Sequence, residues 1–200
     1  MNDDVVIGVV LGSSRKRRLG DRVCQFVLTQ AATVAGASFT VLDLASYQLP
    51  FFDEDIAPLN SRDRSPAGPV RRWLAGMAAA DGYLFLTPEY NYAVPAVLKN
   101  ALDYLAREAE AKPASILSYS DTAHGGNIAG HELRLTLNKL GMFTMPKSLP
   151  LAHADTLLRE DGTLAEDSPW AAKVSAFVPW SLTELARYAG LLRQARVPAA

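Results

Sequence analysis

Apolar positions along this chain follow two alternating rhythms. Short, nearly unbroken apolar runs suit strands buried on both faces, and longer stretches repeat every three to four residues as one-sided helices do. Val5 to Leu11 is the first such run. Val23, Phe26, Val27, Ala31 and Val34 follow at helical spacing, with Gly36 as a natural stop. Phe39 to Leu44, Tyr83 to Thr87 and Ala114 to Tyr119 predict three further strands. Met142 to Leu149 predicts a fifth, which Pro146 shortens or confines to an edge. Helices are expected around Val70, Trp73, Leu74 and Met77, opened by Pro69, and from Pro95 to Ala106. Another carries Leu133, Leu137 and Leu140. The last starts at Ser168 and Pro169, buries Val174, Phe177, Val178, Leu182, Leu185, Ala189 and Leu192, and is expected to kink or split at Pro179. Residues 45–68 break the rhythm with three prolines and a mixed-charge stretch from Asp53 to Arg64, and predict a long surface loop of the kind used in binding. Five strands alternating with five helices predict an α/β protein with parallel strands and right-handed crossovers, in a single domain over residues 1–200.

Composition narrows the function classes. The chain is 49% hydrophobic and 20% charged, as in globular proteins that bury a core. A formal net charge of −1 supplies no general attraction to nucleic acid or to a membrane surface. The single cysteine, Cys24, cannot form an internal disulfide, and the acidic start Met1-Asn2-Asp3-Asp4 is unlike a signal peptide. A cytoplasmic protein without membrane or nucleic-acid partners is expected. No metal ligand set is seen, since His124, His131 and His153 lack ligand spacing. No catalytic triad is defensible either.

Candidate chemistry gathers at strand ends. Gly12-Ser13-Ser14-Arg15-Lys16-Arg17-Arg18-Leu19-Gly20 joins a strand end, hydroxyls, cations and a helix start, which together suit a phosphate. Ser13 offers a hydroxyl and Arg15 a charge-assisted bond, while Lys16 and Arg17 read as exposed. The alternative is a solvated basic tip. No G-x-G-x-x-G follows the first strand and no G-x-x-x-x-G-K-[ST] occurs, which disfavours dinucleotide binding of the Rossmann type and nucleotide hydrolysis. After the third strand, Pro88-Glu89-Tyr90-Asn91-Tyr92 forms a stiff aromatic and polar loop suited to a flat, heteroatom-rich ring. Asn91 can donate and accept there, or it can serve the turn itself. Glu89 either touches a ligand or orients the loop. After the fourth strand, Ser118-Tyr119-Ser120 leads to Gly125-Gly126, a pair that lets backbone approach a ligand closely.

The run TPEYNYAVPAVLKNALDYL, with GSSR after the first strand, resembles the NADPH-dependent FMN reductase family, which includes quinone, azo-dye and chromate reductases. The resemblance implies a flavodoxin-like three-layer sandwich with a five-stranded parallel sheet in the order 2-1-3-4-5. It implies FMN as cofactor and NADPH or NADH as reductant, with a small-molecule electron acceptor. Ser13, Arg15, Arg18, Leu19 and Gly20 would then hold the FMN phosphate. Pro88, Glu89, Tyr90, Asn91, Tyr92, Ser118, Tyr119, Gly125 and Gly126 would flank the ring. Family members often carry a hydroxyl near Leu19 or Gly20 and a glycine near Ser120, and this chain departs from both. A homodimer or homotetramer is implied, with Pro95 to Ala106 as a candidate interface. The alternatives are a flavodoxin-like electron carrier, although such carriers are usually strongly acidic, and a flavin-binding redox module without nicotinamide turnover.

Overall fold

The structure, a computed structural model, describes residues 4–61 and 64–196. The acidic start from Met1 to Asp3, and the Arg62–Asp63 part of the charged loop, lie outside the described residues. Strand β1 (Val5–Leu11) leads through an irregular loop into helix α1 (Gly20–Ala31). Strand β2 (Ala37–Asp43) passes directly into the one-turn helix α2 (Leu44–Tyr47), and α3 (Gly68–Ala79) precedes β3 (Gly82–Pro88). Helix α4 (Ala96–Asp103), β4 (Pro113–Tyr119) and α5 (Asn127–Lys139) follow. The chain ends with β5 (Phe143–Thr144), β6 (Leu149–Leu151), the short α6 (Ala154–Leu157) and α7 (Ala171–Ala195).

The strands pair in parallel in the order β2-β1-β3-β4-β5, as the resemblance implied. β3 and β4 are buried at every residue, because helices cover both faces of the sheet. One apolar layer joins α1 and α7 to the sheet through Val23, Phe26, Val27, Leu182 and Leu185. The other joins α3, α4 and α5 through Trp73, Met77, Leu98, Leu102 and Leu133.

Three details depart from the apolar pattern. The expected fifth strand, Met142 to Leu149, is two short pieces: Phe143–Thr144 pairs with the start of β4, and Leu149–Leu151 with its end. Pro146 lies between them, where the missing N–H would break a continuous ladder. Helix α7 is unbroken across its 25 residues despite Pro179. Buried Val174 and Val178 before the proline, with Leu182 and Leu185 after it, hold both halves against the sheet. The loop after α2 is tied down: Asn100 of α4 accepts the Phe52 N–H at 2.8 Å and donates to the Pro50 carbonyl at 2.7 Å. Arg64 forks onto Glu54 at 2.8 Å and donates to the Tyr104 carbonyl at 2.7 Å.

Candidate active site

The loops after β1, β3 and β4 converge at the carboxyl edge of the sheet, where open α/β sheets bind ligands. They surround a cavity of about 650 Å³, inside the range usual for small-molecule sites. Arg15, Arg17, Arg18 and Leu19 line it from the first loop, Pro88, Glu89 and Tyr90 from the second, and Tyr119, Ser120 and Asp121 from the third.

The first loop is held by its side chains, leaving backbone donors unused. Gly12 donates to Leu86 O at 2.9 Å, and a Cβ on Gly12 would lie 2.8 Å from that same oxygen. The absence of a side chain therefore permits the close crossing over β3. Arg18 then acts as a strut. Its guanidinium meets Asp43 at the end of β2 through two bonds of 2.6 and 2.7 Å, reaches Asp21 at 2.8 Å, and donates to the Ser13 carbonyl. Hydrogen bonding to Arg18 holds the Asp43 carboxyl below its usual range, and the same bonds raise the Arg18 pKa further. Helix α1 begins at Leu19 with no side-chain cap. Among the described residues, no chain acceptor takes the N–H groups of Ser14, Lys16 or Arg17. The result is a positive helix end beside unengaged backbone donors.

Ser13, 1% exposed, shares a 2.8 Å hydrogen bond with the Tyr90 hydroxyl, and the Arg15 guanidinium stands 5.5 Å from the centre of the Tyr90 ring. Tyr90 thereby joins the first loop to the second. Beyond it the chain folds into a tight hairpin, in which Tyr90 and Ala93 exchange backbone bonds of 3.0 and 3.1 Å. Asn91 and Tyr92 are the two turn residues, with φ of 52° and 65°, as a type I′ turn requires. Both are exposed, and neither lines the cavity. Asn91 therefore occupies the turn, outside the cavity lining. Glu89 lines the cavity, and its carboxylate also accepts the Ala129 N–H at 3.0 Å in the first turn of α5.

The third loop departs from a flexible glycine path. Ser120 bonds the Thr122 hydroxyl at 2.8 Å and accepts the Thr122 N–H at 3.2 Å, so the serine builds its own turn. Gly125 and Gly126 both have positive φ, 57° and 72°. A Cβ on Gly125 would press on the backbone of Pro150 to Ala152, and one on Gly126 would lie 3.0 Å from Tyr119 O. The glycine pair thus packs the loop on β6 and β4, and neither glycine lines the cavity. Ser118 is buried beneath them. Tyr119 reaches from β4 across to α1, where a Cβ on Gly20 would overlap its hydroxyl.

Sequence reasoning missed the lining residues Arg22, Asp121, Asp155 and Glu160, and also Asp43, which braces Arg18 from outside the cavity and whose partner lies 25 positions away on another element. A local signal existed: its side chain also accepts the Ala45 N–H at 2.9 Å as the cap of α2, and aspartate before a helix is a recognisable N-cap. Cys24 is buried in the core, which pushes its thiol up to about 11 and suits packing. The exposed apolar side chains near the site belong to Tyr92 and to Ile128 and Leu135, seven residues apart on one face of α5. On the expected interface helix α4, the exposed residues include Ala96 and Lys99, so the apolar surface lies beside it.

Residues 5–156 match the family model for NADPH-dependent FMN reductase. An NAD(P)H-dependent FMN reductase of Pseudomonas aeruginosa is 32% identical over 172 residues, 84% of this chain and 88% of that one. A quinone reductase of Pseudomonas putida is 31% identical over 183 residues, 87% of this chain and 93% of its own. The fold is shared with FerB, a flavoenzyme NAD(P)H:(acceptor) oxidoreductase from Paracoccus denitrificans, at a TM-score of 0.73 and 23% identity over 92% of this chain and 97% of that one. The chain belongs to the NADPH-dependent FMN reductase family.

Proposed function

We propose that this chain binds FMN in the cavity at the α1 N-terminus and catalyses NAD(P)H-dependent reduction of small, flat acceptors. Quinones, azo compounds, free flavins and oxidised metal ions are the acceptor classes to test. The observation that carries the reading is the pairing of an uncapped, cation-flanked helix end with an aromatic-walled cavity at the sheet's carboxyl edge. FMN, when bound, supplies the chemistry: it takes a hydride from the nicotinamide and passes reducing equivalents to the acceptor.

The residues present fit such a group. Ser13, Arg15 and the amides entering α1 suit the phosphate, which carries charge and accepts bonds. Pro88, Glu89 and Tyr90 on one side, with Ser120 and Asp121 on the other, bound the space for a planar ring. Tyr90 and Ser13, bonded to each other, tie the loop that would hold the phosphate to the loop that would hold the ring. No side chain here needs to act as a nucleophile or a general base. The protein's work is to bind, orient and crowd out water around two flat ligands that occupy the same space in turn. The Ile128–Leu135 face and Tyr92 are the surface through which a homodimer or homotetramer would pack, and sedimentation at the monomer mass would remove that part of the reading.

Anaerobic addition of NADPH to the FMN-loaded protein tests the function. Rapid bleaching of the flavin absorbance, restored by a quinone, is expected. A yellow protein that bleaches with dithionite but not with either nicotinamide would instead be an electron carrier.

A further inference from the structure

We propose that the Tyr119 hydroxyl is a phosphate-binding group that makes this cavity select a flavin carrying a terminal phosphate over the same flavin without one. The inference rests on reading the cavity as an FMN site, and it adds a residue whose hydroxyl abuts the first residue of α1.

Two independent observations meet at this hydroxyl. Tyr119 is 2% exposed, its ring embedded in the apolar layer beneath α1. Its oxygen has no hydrogen-bond partner, and among the described residues it is the buried side-chain polar atom in that condition. Folded proteins satisfy nearly all such atoms, and a phenylalanine would fill the same volume without carrying one. The second observation is where the hydroxyl stands. A Cβ on Gly20 would overlap it and come within 2.9 Å of Leu11 Cδ1. The oxygen therefore abuts the first residue of α1, an end that no side chain caps. Tyr119 also lines the cavity together with Leu19 and Arg18.

An unpartnered donor and an uncapped helix end suit the same ligand group, an anion with several acceptor oxygens and no need to donate. Burial raises the Tyr119 pKa far above its ordinary value, while the smaller influence of Arg18 lowers it. The hydroxyl is consequently neutral and a donor across the physiological range. A terminal ribityl hydroxyl could accept the same bond, but without charge and with little gain from the helix end. The discrimination between the two flavins is therefore the property to measure, rather than flavin affinity alone. Gly20 is the second part of the device, because the bare Cα is what lets the hydroxyl reach the helix end.

Wild type, Tyr119→Phe and Gly20→Ala, each freed of flavin, would be titrated with FMN and riboflavin, and melted with and without inorganic phosphate. Tyr119→Phe is expected to melt no lower than wild type and to bind riboflavin equally well. Its FMN affinity should fall roughly 10- to 100-fold, the usual loss for a hydrogen bond to a charged group. Phosphate should raise the wild-type melting temperature and leave that of Tyr119→Phe nearly unmoved. Gly20→Ala, which pushes the hydroxyl aside while keeping it, should repeat the selective loss of FMN. Unchanged FMN affinity in Tyr119→Phe, or equal loss for both flavins, would overturn the assignment. Should wild type bind neither flavin, the FMN reading itself fails. The phosphate-induced shift then decides Tyr119 separately: its loss in Tyr119→Phe supports the phosphate role, and its retention overturns it.

Discussion

Two helices begin at the carboxyl edge of this sheet beside the same cavity, and they are finished in opposite ways. At α5 the chain supplies its own anion: Glu89 reaches from the neighbouring loop and its carboxylate accepts the Ala129 N–H at 3.0 Å. At α1 the N-cap position is Leu19, which offers no acceptor. Asp21 lies in the first turn of α1, but its carboxylate pairs with Arg18 Nε and is largely solvent-exposed. Every helix N-terminus carries unsatisfied donors and the positive end of a dipole. The fold closes one such end with a glutamate and leaves the other, with arginines around it, without an acceptor of its own. The same backbone physics thus gives a capped end at α5 and an open one at α1.

The largest expected effect comes from removing what holds the open end in shape. Arg18 is spent on Asp43, Asp21 and the Ser13 carbonyl, which makes it a positioning residue for the loop. Asp43→Asn leaves that guanidinium, 9% exposed at its side chain, without its main counter-charge. Arg18 is enclosed but Asp43 is 29% exposed and Asp21 stays in place, so breaking the pair costs roughly 2–3 kcal/mol, or about 4–12 °C in melting temperature for a chain of this size. FMN affinity should fall with it, since Ser13 hangs from the same strut. The effect has a defined pH range. Arg18 depresses the Asp43 pKa in the folded state, so the folded form holds the proton less tightly than the unfolded chain does. The stabilisation is complete above the unfolded carboxylate value of about 4 and is lost as pH falls through the lower folded value. Wild type and Asp43→Asn should therefore differ fully at neutral pH and converge in strong acid. A difference that persists unchanged down to about pH 2 would remove the ion pair as its cause.

Next in size is the direct contact. Arg15 lines the cavity with its guanidinium 5.5 Å from the centre of the Tyr90 ring, whereas Lys16, exposed at the same tip, does not line it. Arg15→Ala should weaken FMN binding by roughly 1.5–3 kcal/mol, against a few tenths for Lys16→Ala. Equal dissociation constants from titration of the two flavin-free variants would take Arg15 out of the phosphate site.

The sheet and most of the helices were readable in the sequence, because burial on two faces leaves an apolar run and burial on one leaves a helical stripe. Val5 to Leu11 and Ala114 to Tyr119 needed only that rule. The cavity-lining part of the signature loop was readable too, since Pro88, Glu89 and Tyr90 belong to a motif whose rigidity has a local cause. What the pattern could not supply was partnership across the sheet. Asp43 looks like any strand-end aspartate until the crossover sets it beside Arg18. Tyr119 looks like a ring-side aromatic until the strand order carries its hydroxyl over to Gly20. Pro146 predicts a shortened edge strand, but resumed pairing at Leu149–Leu151 depends on where Gly125 meets the backbone of Pro150 to Ala152. Local chemistry is written locally; the assignment of each charge to its partner is a property of topology.

The smallest effect separates the two helix ends most cleanly. Glu89→Ala uncaps α5 by removing the acceptor of the Ala129 N–H, a change worth about 1 kcal/mol, or roughly 2–4 °C in the flavin-free protein. Glu89 also lines the cavity, so a competing role as a ligand contact is geometrically open to it. The two roles predict opposite patterns. As a cap, its loss lowers the melting temperature and leaves FMN affinity within about twofold, with any change towards tighter binding, because a negative charge leaves the neighbourhood of a dianion. As a ligand contact, its loss weakens FMN by about 1–3 kcal/mol while the flavin-free protein melts as before. Melting curves without flavin, read beside an FMN titration of the same variant, distinguish them. A tenfold loss of FMN affinity at unchanged melting temperature would mean that both helix ends serve the ligand, and the contrast between an open α1 and a closed α5 would no longer hold.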